Sequence, residues 1–299
     1  MTGILQEPRI RYVYDLAAPG DAPDGACSAR VTSRKSPSGA RPAGVMVTGR
    51  RAHVALVRQA RGTGHGLTTC HGEKFLYVVR GTLTLDINGQ LLTVSKGHVL
   101  HVPAGVPHGL VVGPDEDATL IAVVDTRHDG GSGEEWKPLE DAPAAPQSTS
   151  PGGKRLRFVY AIDELDEAPE GPCSAVVTPK NFVSKKSSSY GASLRGEMLQ
   201  VGVIRKARGS GAKLHTHPNE QFNLVLEGRL VGEIGGYPME VPAGSLIHMP
   251  ATVQHCTIAS ADGDVLFFVV KDTSHGMAGP PVDGIEDGPR YLPGFGPVR

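Results

Sequence analysis

The chain contains little cysteine, few aromatic residues and no long hydrophobic run. Its 299 residues include four cysteines and no CxxC pair, which argues against a disulfide scaffold and favours a reducing compartment. Apolar runs such as Phe75–Val79 and Leu266–Val270 are short. Each is about a quarter of the ~20 residues that a membrane-spanning helix needs, so no membrane segment is expected.

The charges give no excess of either sign. Thirty Lys and Arg residues face 31 Asp and Glu residues, for a formal net charge of −1. Without a basic stripe there is no electrostatic reason to expect a nucleic-acid partner. The N-terminus carries Glu7, Arg9 and Arg11 where a signal peptide would place its apolar stretch. We therefore expect a cytoplasmic protein whose partner is a small molecule.

Glycine and proline are abundant and separate many short apolar segments. The 39 glycines and 24 prolines stand between runs such as HVALVR, KFLYVV, LTLDI, QLLTV and TLIAVV, which have the length and composition of strands. Asn88-Gly89, between LTLDI and QLLTV, is a strong hairpin signal. No long stretch has a helical period without a break. The pattern predicts an all-β protein, either a sandwich or a barrel.

The second half of the chain repeats the first half. Gly62–Gly81 aligns without gaps on Gly209–Gly228, with 8 identities in 20 positions. His101–His108 aligns on His248–His255 at the same offset of 147 residues, with 5 identities in 8. This consistency indicates a tandem duplication of one β domain.

The composition places the boundaries of the two copies. We predict an N-terminal barrel over residues 1–125, a flexible linker over 126–155, a C-terminal barrel over 156–272 and a Gly/Pro-rich tail over 273–299. The linker is dominated by Gly, Pro, Ser and Ala, which cannot bury a core.

Each copy begins with a similar extended arm. RYVYDL at Arg11–Leu16 recurs as RFVYAI at Arg157–Ile162. These arms are expected to pair as swapped or cross-barrel strands, either in a homodimer or in a pseudo-dimer within one chain. We expect a homodimer.

Four residues of the second half have the pattern of a metal site. His215 and His217 are separated by one residue, so on a strand their imidazoles point to the same face. Gln221 follows with the same parity, and His255 comes from a later strand. Three imidazoles and one amide oxygen suit a first-row divalent ion, if that face is the inside of a small barrel.

Three neighbouring side chains are less certain from the pattern. Glu220 has odd parity and should face away from the site, unless a bulge at Pro218 shifts the register. Asn223 shares the parity of Gln221 and is a candidate for the pocket wall. His248 is a candidate for supporting a metal ligand from outside the coordination sphere. Because the equivalent His101 lies in the half without the ligands, a shared structural role for both histidines is the other interpretation.

The spacing of these residues resembles a known family. G-x5-H-x-H-x3-Q-x6-G, followed by P-x-G and P-x4-H, is similar to the two motifs of the cupin superfamily. The resemblance covers both halves and implies two tandem cupin barrels of the double-stranded β-helix, or jelly-roll, kind. It also implies one divalent transition metal per chain, with Fe(II) as first choice and Mn, Ni or Zn as alternatives.

The first half lacks the family's ligands. The alignment places Thr68, Cys70 and Lys74 where the second half has its first three ligands, and only His108 matches. A lysine ammonium directed at a cation site would repel the ion. The N-terminal barrel is therefore expected to hold no metal at these positions. An alternative cluster could be built from the following residues: His65, Cys70, His71 and His108.

The resemblance leaves several functions open. Cupins usually carry Glu where this chain has Gln221. The neutral amide leaves the ion its full charge, which weakens a dioxygenase hypothesis without removing it. The first hypothesis is a dioxygenase-type oxidoreductase on a small phenolic or enolisable substrate. The alternatives are a non-oxidative isomerase, lyase or ring-opening enzyme on a sugar acid or keto compound, and a non-catalytic binding barrel. Because fold does not fix function, the substrate stays open.

Overall fold

The computed structural model describes residues 10–17, 26–35, 42–127, 142–143, 156–180 and 186–296. Nearly all regular structure in these ranges is β-strand, in two halves that each consist of a seven-stranded and a five-stranded sheet. The helical element among the described residues is a single 3₁₀ turn at Ile162–Glu164. No helix in the described ranges is long and apolar enough to cross a membrane.

The N-terminal barrel is an antiparallel pair of sheets. Its seven-stranded sheet has the spatial order β13 (Val159–Ala161), β9 (His98–Val102), β6 (Lys74–Arg80), β11 (Ala118–Asp125), β4 (Ala52–Gln59), β3 (Ala43–Thr48), β2 (Arg30–Arg34). Its five-stranded sheet has the order β12 (Ala142–Pro143), β5 (Gly64–Thr69), β10 (His108–Val112), β7 (Thr82–Ile87), β8 (Gln90–Ser95). The hairpin between β7 and β8 turns at Asn88 and Gly89, both with positive φ, as its sequence predicts.

The C-terminal barrel repeats this arrangement. Its seven-stranded sheet has the order β1 (Val13–Asp15), β21 (Ser245–Met249), β18 (Gln221–Glu227), β23 (Val265–Asp272), β16 (Leu199–Lys206), β15 (Tyr190–Arg195), β14 (Val176–Thr178). Its five-stranded sheet has the order β20 (Tyr237–Pro242), β19 (Arg229–Ile234), β22 (His255–Ala259), β17 (Ser210–Gly211), β24 (Arg290–Tyr291). The expected all-β, two-barrel architecture is confirmed.

The two arms are exchanged between the barrels of one chain. β1 pairs with β21 of the C-terminal barrel, and β13 pairs with β9 of the N-terminal barrel. The arms are therefore cross-barrel strands, and the chain forms a pseudo-dimer within itself. The homodimer stays a prediction.

The two seven-stranded sheets face each other across one continuous core. This core takes side chains from both barrels, including stacked rings of Tyr77 and Phe268 whose centroids lie 5.2 Å apart. Separate apolar clusters fill the N-terminal barrel and part of the C-terminal barrel. Burial of this shared surface fixes the barrels to one another through the hydrophobic effect.

Two buried glutamates join the barrels in a symmetric way. The carboxylate of Glu73 accepts the backbone N–H groups of residues 197–199 at 2.7–2.9 Å. The carboxylate of Glu220 accepts those of residues 50–52 at 2.8–3.3 Å. Each barrel thus offers one carboxylate to a backbone turn of the other, and charge-assisted bonds of this kind are about twice as strong as neutral ones.

Parts of the predicted linker and tail have a described structure. Within 126–155 the structure describes residues 126–127 and strand β12, which pairs with β5. The remainder of the predicted linker lies outside the described residues. The predicted tail is described up to residue 296, and its β24 pairs with β17 of the C-terminal barrel.

Candidate metal centre

Three histidines meet inside the C-terminal barrel, between its two sheets. Each of the histidines offers one ligand nitrogen, and these nitrogens lie within 4.8 Å of one another: His215, His217 and His255. His255 begins β22, and His215 forms a bridge with it through reciprocal backbone hydrogen bonds of 3.0 Å. His217 and His255 are buried and His215 is partly buried. The imidazoles therefore converge, although His215 lies in an isolated bridge and His217 outside any regular strand.

Backbone carbonyls fix which nitrogen of each ring faces the cluster. The Nδ1 atoms of His215, His217 and His255 lie 2.7, 2.8 and 2.9 Å from the carbonyl oxygens of Lys213, Asn219 and Val253. Because a carbonyl can only accept, each Nδ1 must carry the proton and donate it. Each Nε2 therefore presents a lone pair, which is the form that binds a metal.

Two acceptors face each other in this cluster. Nε2 of His217 lies 3.0 Å from Oε1 of Gln221, whose amide nitrogen donates to Oδ1 of Asn223 at 2.8 Å. Nε2 of His255 is buried and has no hydrogen-bond partner among the described residues. Opposed or isolated buried lone pairs cost free energy unless a cation or proton lies between them. The donor set of three imidazoles and one amide oxygen therefore fits a divalent first-row metal ion.

Burial disfavours a proton as that bridging cation. Burial, together with the positive charge of Lys271, lowers the pKa of His215 and of His217 to about 4. Burial likewise lowers the pKa of His255 well below its ordinary value, with a further contribution from His215. The imidazoles are therefore neutral near pH 7, which is the state that metal binding requires.

A cavity of about 590 Å³ opens from the cluster. Its walls include apolar side chains such as Ile204, Phe267 and Val269, together with Gln221 and Asn223. Among the described residues, the lining contains no Asp or Glu. It does contain four lysines: Lys186, Lys206, Lys213 and Lys271. The cavity thus has an apolar body and basic side chains, and burial lowers the pKa of Lys206 and of Lys271 to about 7.

The fold and both sequence motifs agree with one family. A sequence profile for the cupin domain matches residues 56–124 and 203–271, one match in each barrel. The chain belongs to the cupin superfamily, as a two-domain member. The sequence resemblance to this family is thereby confirmed.

Solved structures share this bicupin fold. Oxalate decarboxylase of Bacillus subtilis, in a study of its Mn(II) centres, superposes with a TM-score of 0.61 at 14% identity, over 93% of this chain and 81% of that one. AerE from Microcystis aeruginosa gives a TM-score of 0.57 at 13% identity, over 82% and 96%. At such identities the likeness concerns the fold alone.

One curated relative has a detectable sequence similarity. Dimethylsulfoniopropionate lyase DddW of Ruegeria pomeroyi is 31% identical over 65 residues. The match covers 22% of this chain and 43% of that protein. This bicupin therefore spans less than half of the relative that it matches.

The N-terminal cupin differs from its partner at the metal positions. Among the described residues, one group of side chains could hold a metal, and it consists of the three histidines of the C-terminal cupin: His215, His217 and His255. The alternative cluster around His65, Cys70, His71 and His108 does not form such a group; the rings of His65 and His108 lie 5.9 Å apart. Instead, an apolar cluster that includes Cys70 fills this barrel.

His248 lies at the junction of the two cupins. It pairs with Phe222 across strands β21 and β18, on the face opposite to Gln221. Its Nε2 donates to Glu220 at 2.9 Å and its Nδ1 lies 2.9 Å from the hydroxyl of Ser28. Of the two interpretations of His248, these contacts favour the structural role shared with His101, because alternation along β21 turns His248 toward the other barrel. His101 has the equivalent bonds to Glu73 and Ser174.

The segment after β23 covers the histidine cluster of the C-terminal cupin. Lys271 Nζ donates to the carbonyl of Met277 at 2.7 Å, and Asn219 donates to the carbonyls of Asp272 and of residues 275–276. Pro281 then forms a bridge with His215. This cover was not predicted from the sequence, where the segment is distinguished only by its glycines and prolines.

A glycine in this covering segment makes its position testable. A Cβ at Gly279 would lie 2.1 Å from the carbonyl oxygen of Thr216, between the first two ligands, whereas a Cβ at Gly276 would meet nothing within 4 Å. We expect Gly279→Ala to displace the segment, to cost about 1–3 kcal/mol of stability and to weaken metal binding. Gly276→Ala should change neither. Thermal unfolding measures the stability, and competition with a chelator measures the metal affinity. Equal stability and equal metal affinity of the two variants would contradict the position of this segment over the histidine cluster.

Proposed function

We propose that the protein is a metal-dependent enzyme that acts on a small anionic substrate without net oxidation, as a lyase or isomerase. One divalent transition metal per chain would be held by His215, His217, Gln221 and His255. The observation that carries this proposal is the neutral donor set, which contains no carboxylate, at the mouth of a lysine-lined cavity.

The neutral donors decide which chemistry fits best. When bound, the ion would supply Lewis-acid polarisation of a substrate oxygen or, if ferrous, redox chemistry with dioxygen. Imidazole and amide ligands are neutral, so they would not reduce the net positive charge of the bound ion. A carboxylate ligand would reduce it. Polarisation of a carbonyl or carboxylate therefore gains most from this site.

The protein's own residues would bind and enclose the substrate. Lys271 is the cross-strand neighbour of Gln221 on β18 and β23, so its side chain lies beside the cluster and attracts an anion. Phe267 and Val269 offer an apolar wall, and the segment through Met277 limits access of water. Lowered water content strengthens every charge interaction inside the cavity.

The name of the curated relative supports the non-oxidative class. It is a lyase, and its name describes bond cleavage in a propionate. The dioxygenase hypothesis from the sequence is the second candidate. It is favoured by the three imidazoles, which suit iron, and by the open side of the cluster toward the cavity.

Reconstitution with single metals separates the two candidates. The full chain, loaded in turn with Mn(II), Fe(II), Ni(II) or Zn(II), is assayed with short keto, hydroxy and uronic acids, diketones and catechols, while product and oxygen are followed together. We expect product from an acid substrate without oxygen consumption. Oxygen uptake in proportion to product would overturn the non-oxidative proposal and support the dioxygenase. The His255→Ala variant is the control for adventitious metal.

A further inference from the structure

The cavity has a second polar end beyond the metal cluster. Lys206 on β16 is fully buried, and its Nζ donates to the carbonyl of Thr257 at 2.7 Å and to the hydroxyl of the same residue. The ring of Phe267 lies 5.5 Å from this nitrogen. An ammonium has three donors, and two of them are used here among the described residues. The third is available to a ligand.

This second end lies on the same face as the metal cluster. Thr257 follows His255 by two residues on β22, so both side chains line the cavity. Two residues along an antiparallel strand span about 7 Å. The Lys206 end is therefore separated from the cluster by the length of a short carbon chain, and between them lies the apolar wall.

The charge of the cavity is not balanced inside the protein. The rim lysines have carboxylate partners: Lys186 pairs with Glu286, and Lys213 pairs with Asp283 and Asp287. Lys206 forms no ion pair among the described residues, and burial lowers its pKa to about 7. A buried cation without a partner is costly, and a bound anion removes that cost. The ligand is thus expected to carry a negative charge at this end as well.

We propose that the cavity binds a dicarboxylate with one carboxylate at the metal cluster and the other on Lys206 and Thr257. This inference rests on the proposed metal-dependent function and specifies its substrate class. The two ends must be separated by a short apolar chain that contacts Phe267, so oxalate, whose carboxylates are directly joined, is too short to reach both. The orientation is set by the metal at one end and by the ammonium at the other.

Calorimetric binding to the Mn(II)-loaded full chain tests the proposal. The ligands are oxalate, malonate, succinate, glutarate and adipate, each compared with the monocarboxylate of the same length. We expect at least one dicarboxylate longer than malonate to bind at least about tenfold tighter than its monocarboxylate, since charge-assisted bonds each contribute about 1.5–3 kcal/mol. Equal affinities throughout the series would overturn the proposal.

Variants assign the preference to the lysine. Lys206→Met should abolish the preference for dicarboxylates over monocarboxylates, and Thr257→Val should weaken it. Lys74→Met, which removes a buried lysine from the other barrel, should preserve it. Circular dichroism verifies the fold, and Thr257→Val provides the test if Lys206→Met does not fold. A preference that survives in the variants at residues 206 and 257 would contradict the assignment.

The same titrations distinguish this inference from the function on which it rests. If monocarboxylates bind only to the metal-loaded protein and dicarboxylates have no advantage, the dicarboxylate inference fails while the metal pocket stands. If no carboxylate binds in a metal-dependent way, the proposed function itself fails.

Discussion

The His255→Ala variant is expected to lose its metal and its activity while it keeps the all-β fold. His255 supplies a buried Nε2 with no other partner among the described residues, at the point where the other ligands converge. Outer partners of metal ligands alone contribute about 10–100-fold in affinity, so loss of a ligand should cost at least that much. The apolar clusters of both barrels do not include this residue. Elemental analysis and circular dichroism measure the two outcomes.

His108→Ala is the matched control in the N-terminal barrel. His108 occupies the equivalent position, and its Nδ1 likewise donates to a carbonyl, that of Val106, at 3.0 Å. Thr68, Cys70 and Lys74 cannot complete a site around it. The variant should retain the wild-type metal content. Metal loss in this variant alone would show that the working site had been assigned to the wrong barrel.

Glu73→Ala is expected to destabilise the whole bicupin. The carboxylate accepts three backbone N–H groups of residues 197–199 and the Nε2–H of His101, all in a buried position. Removing one partner of a buried charge pair costs about 3–5 kcal/mol, a large part of the 5–15 kcal/mol that holds a typical domain folded. Denaturant unfolding measures the change. Gly196 permits this contact, since a Cβ there would lie 2.0 Å from the carboxylate.

The exposed Glu116 provides the control. It pairs with Arg80 at the surface, and Glu116→Ala should cost less than about 1 kcal/mol. Equal effects of the Glu73 and Glu116 variants would contradict the role given to the interface carboxylate. Glu73 is a better test of the interface than its counterpart Glu220, because Glu220 is adjacent to the proposed metal ligand Gln221.

The same carboxylate predicts the response to acid. Burial alone would raise the pKa of Glu73, but hydrogen bonds from His101 and the backbone, with the charge of His101, hold it below its ordinary value of 4.5. A lowered pKa stabilises the fold above the unfolded value, and the contribution is lost as the pH falls through the folded value. The carboxylate of Asp125 accepts the backbone N–H of Glu73 and is a second titratable group beside it. Below about pH 4.5 the wild type should lose stability more steeply than Glu73→Gln.

Residue parity grouped most of the candidate metal ligands. It predicted His215, His217 and Gln221 on one side and Glu220 on the other. In the structure Nε2 of His217 lies 3.0 Å from Oε1 of Gln221, whereas Glu220 binds the backbone of residues 50–52. Asn223 also lies on the cavity side, as its parity indicates. These residues could be assigned because the direction of a side chain along a strand depends on local geometry alone.

Periodicity predicts on which face of a strand a side chain lies, but not which part of the protein packs against that face. Glu220 points away from the metal as expected, but it contacts the backbone of the other barrel, which only the arrangement of the two halves reveals. For the same reason the sequence left two roles open for His248, and its contacts match the structural role shared with His101. Lys206 and Lys271 were also missed. Each lies at the end of an apolar strand, in VGVIRKA and LFFVVKD, and a buried lysine in such a strand indicates a polar cavity.

The number of metal ions per chain tests the central claim most directly. Elemental analysis of the purified full chain, loaded with metal and then freed of loosely bound ions, gives this number. One ion per chain is predicted, because only the C-terminal cupin brings three imidazole nitrogens together among the described residues. Two ions per chain, or none after loading, would contradict a bicupin with one working metal centre.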